Sequence, residues 1–344
     1  MDLALRPRPS RRLTAGFTAL ALLAGCATSQ TERIGADDGT DACRSQRVAL
    51  DSTGNYYGQD IIRGAAIGAV SGGVLGGLIG AAATGRTRDI AIGAGAGVLA
   101  GGALGAAGGY LAARQRQAQD QASLSAAIGG DLASENAQLD RTQLAFNQLI
   151  DCRLMAAEAI RQDVRSGRTP AEAGRLQMAD LRTRVQGDIA IARRINQQIG
   201  TRGAEFDTAI DAVAPGTRTE VASRTVAAPT PARPRAPVPL RIRPEPNAPE
   251  VGRVAANEPV RVKPAPGNFA LVETDGGLRG YAPAGSFPMR RQAAPAPAPA
   301  PAVAAGDGSV RELAASNIAK RDNFSESVTN AERAAQGEGF ELAG

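Results

Sequence analysis

The 344-residue chain contains no histidine and no tryptophan. Without histidine it lacks the commonest general base and the commonest zinc ligand, so His-dependent triads and HExxH metal sites are excluded. Aromatic residues are 3% of the chain, whereas glycine (41) and proline (21) are plentiful. That balance disfavours one large core and favours several small modules joined by linkers. Lysine is nearly absent: Lys263 and Lys320 stand alone, and arginine carries the net charge of +5. In an alanine- and arginine-rich chain this reflects general residue usage, and no nucleic-acid partner is expected. No GxxxxGK[ST] loop and no nucleophile–base constellation occurs, so neither a cofactor, a metal nor an enzymatic activity is expected.

The sequence does carry an address. Arg6, Arg8, Arg11 and Arg12 precede the short apolar run Leu13–Leu23, and Leu23-Ala24-Gly25-Cys26 follows. A charged region, a short apolar region and small residues at a processing site make an export signal over residues 1–25. Leu23–Cys26 looks like a bacterial lipobox, in which Cys26 is acylated and membrane lipid becomes the anchor. Ala27 after it is compatible with outer-membrane sorting; the inner membrane stays open as the alternative. Two cysteines then remain in the lipidated segment (26–60) and beyond it. Cys43 and Cys152 are a candidate disulfide in an oxidising compartment. An intramolecular pair is favoured over an intermolecular one or free thiols, and a helix break at Gly129-Gly130 would ease its closure.

The most regular feature is glycine. It recurs at Gly64, Gly68, Gly72, Gly76 and Gly80, and again at Gly93, Gly97, Gly101, Gly105 and Gly109. Each ladder sits in an uncharged run, and the polar turn Arg86-Thr87-Arg88-Asp89 lies between them. Glycine costs up to about 1 kcal/mol in a helix relative to alanine, so the spacing needs a reason. Residues four apart share a helix face, and a row of glycines lets another helix approach closely. Residues 61–113 are therefore expected to form a transmembrane helical hairpin that packs on itself or on further copies. A lipobox followed by tandem glycine ladders resembles the glycine-zipper envelope lipoproteins, the group that includes seventeen-kilodalton surface antigens. The resemblance covers roughly residues 20–115. It implies outer-membrane association and self-assembly, and no catalysis.

From 114 to 213 the composition turns to Gln, Ala, Asp, Glu, Arg and Leu with apolar residues at helical spacing. Thr169-Pro170-Ala171-Glu172 reads as a capping box with Pro at the first helical position. The expectation is a coiled-coil-like αα-hairpin arm. A Pro/Arg-rich linker (214–239) follows. Residues 240–288 show short alternating strands: Leu240-Arg-Ile-Arg, Glu250-Val-Gly-Arg-Val, Val260-Arg-Val, Phe269-Ala-Leu-Val and Gly280-Tyr-Ala. Their order resembles a bacterial SH3-like (SH3b) domain, which implies a small all-β barrel with Arg241, Arg243, Phe269 and Tyr281 as candidate ligand-binding residues. Residues 289–344 read as an Ala/Pro linker and a mostly disordered tail with one short helix (Ser309–Lys320).

The fold class expected is thus multi-module and mainly α: a glycine-zipper transmembrane hairpin, an αα-hairpin, a small SH3-like barrel and disordered linkers. The function expected is a structural, self-assembling envelope lipoprotein, a homo-oligomer facing the periplasm. Two alternatives stand beside it: a peptidoglycan-binding tether, and an accessory part of an envelope pore or secretion complex with another envelope protein as partner.

Overall fold

The computed structural model describes residues 30–58, 109–225, 228–288 and 307–342. Cys26 and the ladder glycines from Gly64 to Gly105 lie outside these residues. The chain divides into two units, Met1–Asp41 and Ala42–Gly344. In the first, helix α1 (Gln30–Ile34) is followed by a turn in which Asp37 and Asp38 side chains accept the Gly39 and Thr40 amides.

The second unit is built on four helices: α2 (residues 44–58), α4 (Gln121–Arg165), α5 (Ala171–Val213) and α7 (Asp307–Gln336). A short helix α3 (109–117) leads into α4, and α6 (Thr217–Thr225) follows α5. Helix α4 starts where Asp120 caps it: its carboxylate accepts the Ser123 amide, and Ser123 Oγ accepts the Asp120 amide in return. Gly129 and Gly130 do not break α4, which runs through both. Gly167, at φ +75°, ends the turn after α4. Helix α5 then begins at Ala171 with Pro170 as its N-cap and no side-chain cap bond, so the expected capping box is absent. Glu172 pairs with Arg175 instead.

The contacts fix the directions. Arg153 meets Asp188 and Glu135 meets Arg202, so α4 and α5 are antiparallel. Asn136 bonds Asn317, and Arg161 reaches the carbonyl of Gly339, so α7 runs parallel to α4. Cys43 is bonded to Cys152 and Tyr57 to Thr142, so α2 runs antiparallel to α4. Leu132, Leu139, Phe146, Val185, Ala192, Ile199 and Phe206 fill the seam, and Phe324 of α7 closes on Phe146 with ring centres 5.7 Å apart. Within each helix these residues repeat every seven positions, close to two helical turns, which keeps one helix face buried.

The second unit also holds one antiparallel six-stranded sheet: β1 (Thr230–Ala232), β2 (Val238–Arg241), β3 (Glu250–Val254), β4 (Val260–Ala265), β5 (Phe269–Thr274) and β6 (Arg279–Pro283). The order is β1-β4-β5-β6-β2-β3. Gly267 and Asn268, at φ +68° and +62°, make the mirror-image turn that suits the twist of the β4–β5 hairpin. A Cβ on Gly280 would lie 2.9 Å from the Arg241 carbonyl, so glycine is what lets β6 close on β2.

Five expectations are corrected. Among the described residues no helix is long and apolar enough to cross a membrane, which removes the transmembrane hairpin as a supported element of the fold. The αα-hairpin is no free arm, because α2 and α7 complete a bundle around it. The closed SH3-like barrel is replaced by an open sheet: β3 pairs with β2, and the free side of β4 is taken by β1 rather than β3. Residues expected to be linker, 214–239, supply α6 and β1. The tail expected to be disordered supplies the 30-residue helix α7, with Val310, Ala314, Phe324, Val328 and Ala331 buried.

Candidate functional site

Three places in the second unit gather polar chemistry. The first lies where the described chain stops at residue 58 and resumes at residue 109. Tyr56 Oη donates to Glu135 Oε2 at 3.1 Å, and Tyr110 Oη donates to Asp131. Arg114 grips the same Asp131 through Nε and Nη2 at 2.8 and 2.7 Å. Asp131 and Glu135 are one helical turn apart on α4, about 6 Å along its axis. Arg202 of α5 joins the two sides: its Nε bonds Glu135 at 2.7 Å, and its guanidinium stacks over Tyr56 and Phe206. Phe206 in turn packs against Tyr110, with ring centres 5.2 Å apart. Burial and the neighbouring Asp131 push the Tyr110 phenol well above its ordinary range. The flanks of the ladder segment are therefore held side by side at one end of the bundle. Gly109, the last ladder glycine, is buried at the start of α3.

The second place is at the other end of α2. Cys43 and Cys152 form a disulfide with Cα atoms 5.9 Å apart. Next to Cys152, Arg153 is buried, and its Nε donates to Asp188 Oδ2 at 2.7 Å. Arg47 of α2 approaches the other carboxylate oxygen at 2.9 Å. One buried aspartate thus gathers arginines from α2 and α4.

The third place is a cleft of about 590 Å³ between the sheet and the helices α4 and α7. Of the four residues expected to bind a ligand, two line it, Arg243 and Tyr281. Arg243 is spent on the fold: its Nη1 and Nη2 fork onto the Asp151 carboxylate of α4 at 2.6 and 2.9 Å. Tyr281 has its ring against Leu271 and Phe269, and its hydroxyl accepts from Asn330 of α7 at 3.3 Å. Burial, with the Glu326 charge adding, pushes its phenol up to about 12. Phe269 is buried beneath the cleft in that same cluster. Arg241 lies elsewhere, donating to the Ala248 carbonyl at 2.6 Å within the β2–β3 connection.

A larger groove of about 1030 Å³ runs between β3 and the C-terminal part of α4. Its charges are matched internally: Arg165 pairs with Glu158, and Arg253 with Glu250. Among the described residues no three His, Cys, Asp or Glu side chains converge as a metal site requires.

Sequence reasoning did not find Asp131, Glu135, Arg202, Asp151 or Asp188. Each is a charged residue inside a polar helix, and its partner lies many residues away in the chain. The Tyr110–Arg114 spacing of one helical turn, aimed at a single acid, was the nearest local signal. Comparison with models of known protein families, with curated proteins and with solved structures returns no match.

Proposed function

We propose that this chain is a bacterial cell-envelope lipoprotein with a structural and interaction role and no catalytic activity, anchored through lipid on Cys26 and self-associating through its glycine ladders. In this reading it sits at the outer membrane with the bundle and sheet in the periplasm. One observation carries it: the flanks of the ladder segment are clamped together at one end of a disulfide-stapled bundle, Tyr56 on Glu135 and Tyr110 on Asp131. Flanks fixed side by side are what two ladders that pack on each other or on further copies require. The disulfide supports an oxidising compartment.

The test has two arms. Membrane fractionation compares the native chain with Cys26→Ser; the native chain is expected with outer membranes, and the variant released from them. Crosslinking of purified membranes is expected to show oligomers that Gly72→Leu and Gly101→Leu abolish. A Cys26→Ser chain that still fractionates with outer membranes sinks the lipid anchor. Oligomers that survive both glycine changes sink the ladder role.

A further inference from the structure

We propose that the segment after α7, residues 338–342, is a removable plug, and that its socket takes the same segment from a second copy of this chain.

Helix α7 ends at Gln336, and the chain doubles back in one 3-10 turn, Glu338–Phe340. Gly339 permits the return: a Cβ there would lie 2.8 Å from the Ala334 carbonyl oxygen. The turn packs against α4, α5, α7 and β3, and Phe340 is only 1% exposed.

Three carbonyls in a row are gripped by two arginines. Arg161 of α4 donates from Nη2 to the Gly339 carbonyl at 2.7 Å and from Nε to that of Glu341 at 2.9 Å. Arg182 of α5 donates from Nη2 to the Phe340 carbonyl at 3.1 Å, and the same nitrogen reaches Glu341 Oε1 at 3.2 Å. Leu342 lies against Gly174 of α5, where a Cβ would meet its Cδ1 at 3.4 Å. Side-chain donors on main-chain acceptors read the path of a peptide, and one buried ring reads its sequence. An apolar hole with a few fixed polar groups at its rim is how binding sites are built.

The socket can also be reached. The groove of about 1030 Å³ between β3 and α4 opens beside it, and Gly339, Glu341 and Leu342 line that groove. Both walls are held without the plug. Strand β3 pairs with β2, and α4 is tied to α5 through Arg153 and to the sheet through Asp151. The plug can therefore leave while the bundle and the sheet stay as they are. A second copy's segment restores the same hydrogen bonds and buries the same ring, which makes exchange between copies a low-cost association.

The experiment uses a labelled peptide with the sequence of residues 337–344. It is titrated into the native chain, into the full chain carrying Phe340→Ala, and into a chain ending at Gly337. Saturable binding is expected to both vacated chains, and roughly tenfold weaker or worse to the native chain, whose own plug competes. Alanine in place of phenylalanine in the peptide is expected to abolish binding. A full chain with Arg161→Gln and Arg182→Gln has a plug but a disabled socket. It is expected to displace the peptide from the Phe340→Ala chain, and to lose that ability when it also carries Phe340→Ala. Circular dichroism is expected to match the native chain for each full-length variant. Absence of saturable binding to both vacated chains overturns the proposal, and so does equal binding to the native chain. Displacement that fails, or that does not depend on Phe340, overturns the second copy as occupant. Association through the glycine ladders displaces no peptide, so these outcomes are read independently of the ladders and of the lipid anchor.

Discussion

Arg153 and Asp188 meet at 2.7 Å in the middle of the bundle, and both side chains are closed off from solvent. Burying an ion pair costs several kcal/mol per ion, and the attraction between the partners returns that cost only when both are present. Arg47 brings a second positive charge to the same carboxylate from α2. Removing the acid therefore takes from both arginines the carboxylate they share.

Asp188→Ala is expected to cost about 3–5 kcal/mol of folding free energy, measured by urea unfolding. Arg47→Met, at the wetter edge of the cluster, is expected to cost distinctly less. If the two variants unfold at the same urea midpoint, Asp188 is not the centre of the cluster.

The disulfide closes a separation of 109 residues between Cys43 and Cys152. A loop of that length is expected to contribute roughly 3–5 kcal/mol, chiefly by restricting the unfolded chain. Cys43→Ser with Cys152→Ser should lower the thermal midpoint accordingly. Because Tyr57 still bonds Thr142 and Arg47 still reaches Asp188, α2 is expected to stay docked at moderate temperature. Amide hydrogen exchange over residues 44–58 checks this, and full loss of protection there would refute it.

Gly203 of α5 makes room for Arg321 of α7, whose guanidinium continues past it to Asp207. A Cβ at Gly203 would overlap that guanidinium. Gly203→Ala is expected to destabilise by about 1–2 kcal/mol, despite the better helix propensity of alanine. In an Arg321→Ala background the same change should become stabilising by up to about 1 kcal/mol, the bare propensity gain. A double-mutant cycle reads the reversal, and additivity of the two changes would rule the contact out.

Alkaline pH should unfold the protein through its tyrosines. Tyr281 is pushed up to about 12 by burial and the Glu326 charge, and burial raises Tyr57 and Tyr110 as well. A phenol whose folded pKa is raised stabilises the fold fully below its unfolded value, and that stability is lost as pH rises through the folded value. The window for Tyr281 thus runs from about pH 10 to about pH 12, with a loss of roughly 2–3 kcal/mol across it. Tyr281→Phe should flatten this part of the stability profile. An unchanged slope in urea unfolding over that window would mean that Tyr281 is solvated.

Much of the bundle was legible because α4 and α5 repeat large apolar residues at helical steps. Helix α7 was missed for a physical reason. Its inward positions are Val310, Ala314, Asn317, Arg321, Phe324, Val328, Ala331 and Ala335, an alternation of four- and three-residue steps. Small alanines and two polar residues disguise that seam. Asn317 is buried because Asn136 bonds it, and Arg321 is accommodated because α5 has a glycine there. Neither compensation can be seen from the residues of α7 alone.

The sheet shows the opposite error. Its strands were legible from alternation and turn residues, but their closure was not. Thr230–Ala232, lying in a proline- and arginine-rich stretch, takes the side of β4 that a barrel would have given to β3. Arg243 was read as a ligand contact because its partner, Asp151, lies 92 residues earlier.

The position of α7 also sets the order in which this protein is completed during synthesis. Phe146 emerges from the ribosome long before Phe324, its partner across the seam, and the whole sheet is made in between. Until the last helix arrives, one apolar side of the α4–α5 pair has no cover. Such distant pairing makes folding slow and leaves the nascent chain dependent on holding factors. A stop codon between the end of α5 at Val213 and the start of α7 at Asp307 would therefore yield a chain with an exposed greasy flank rather than a shorter folded protein.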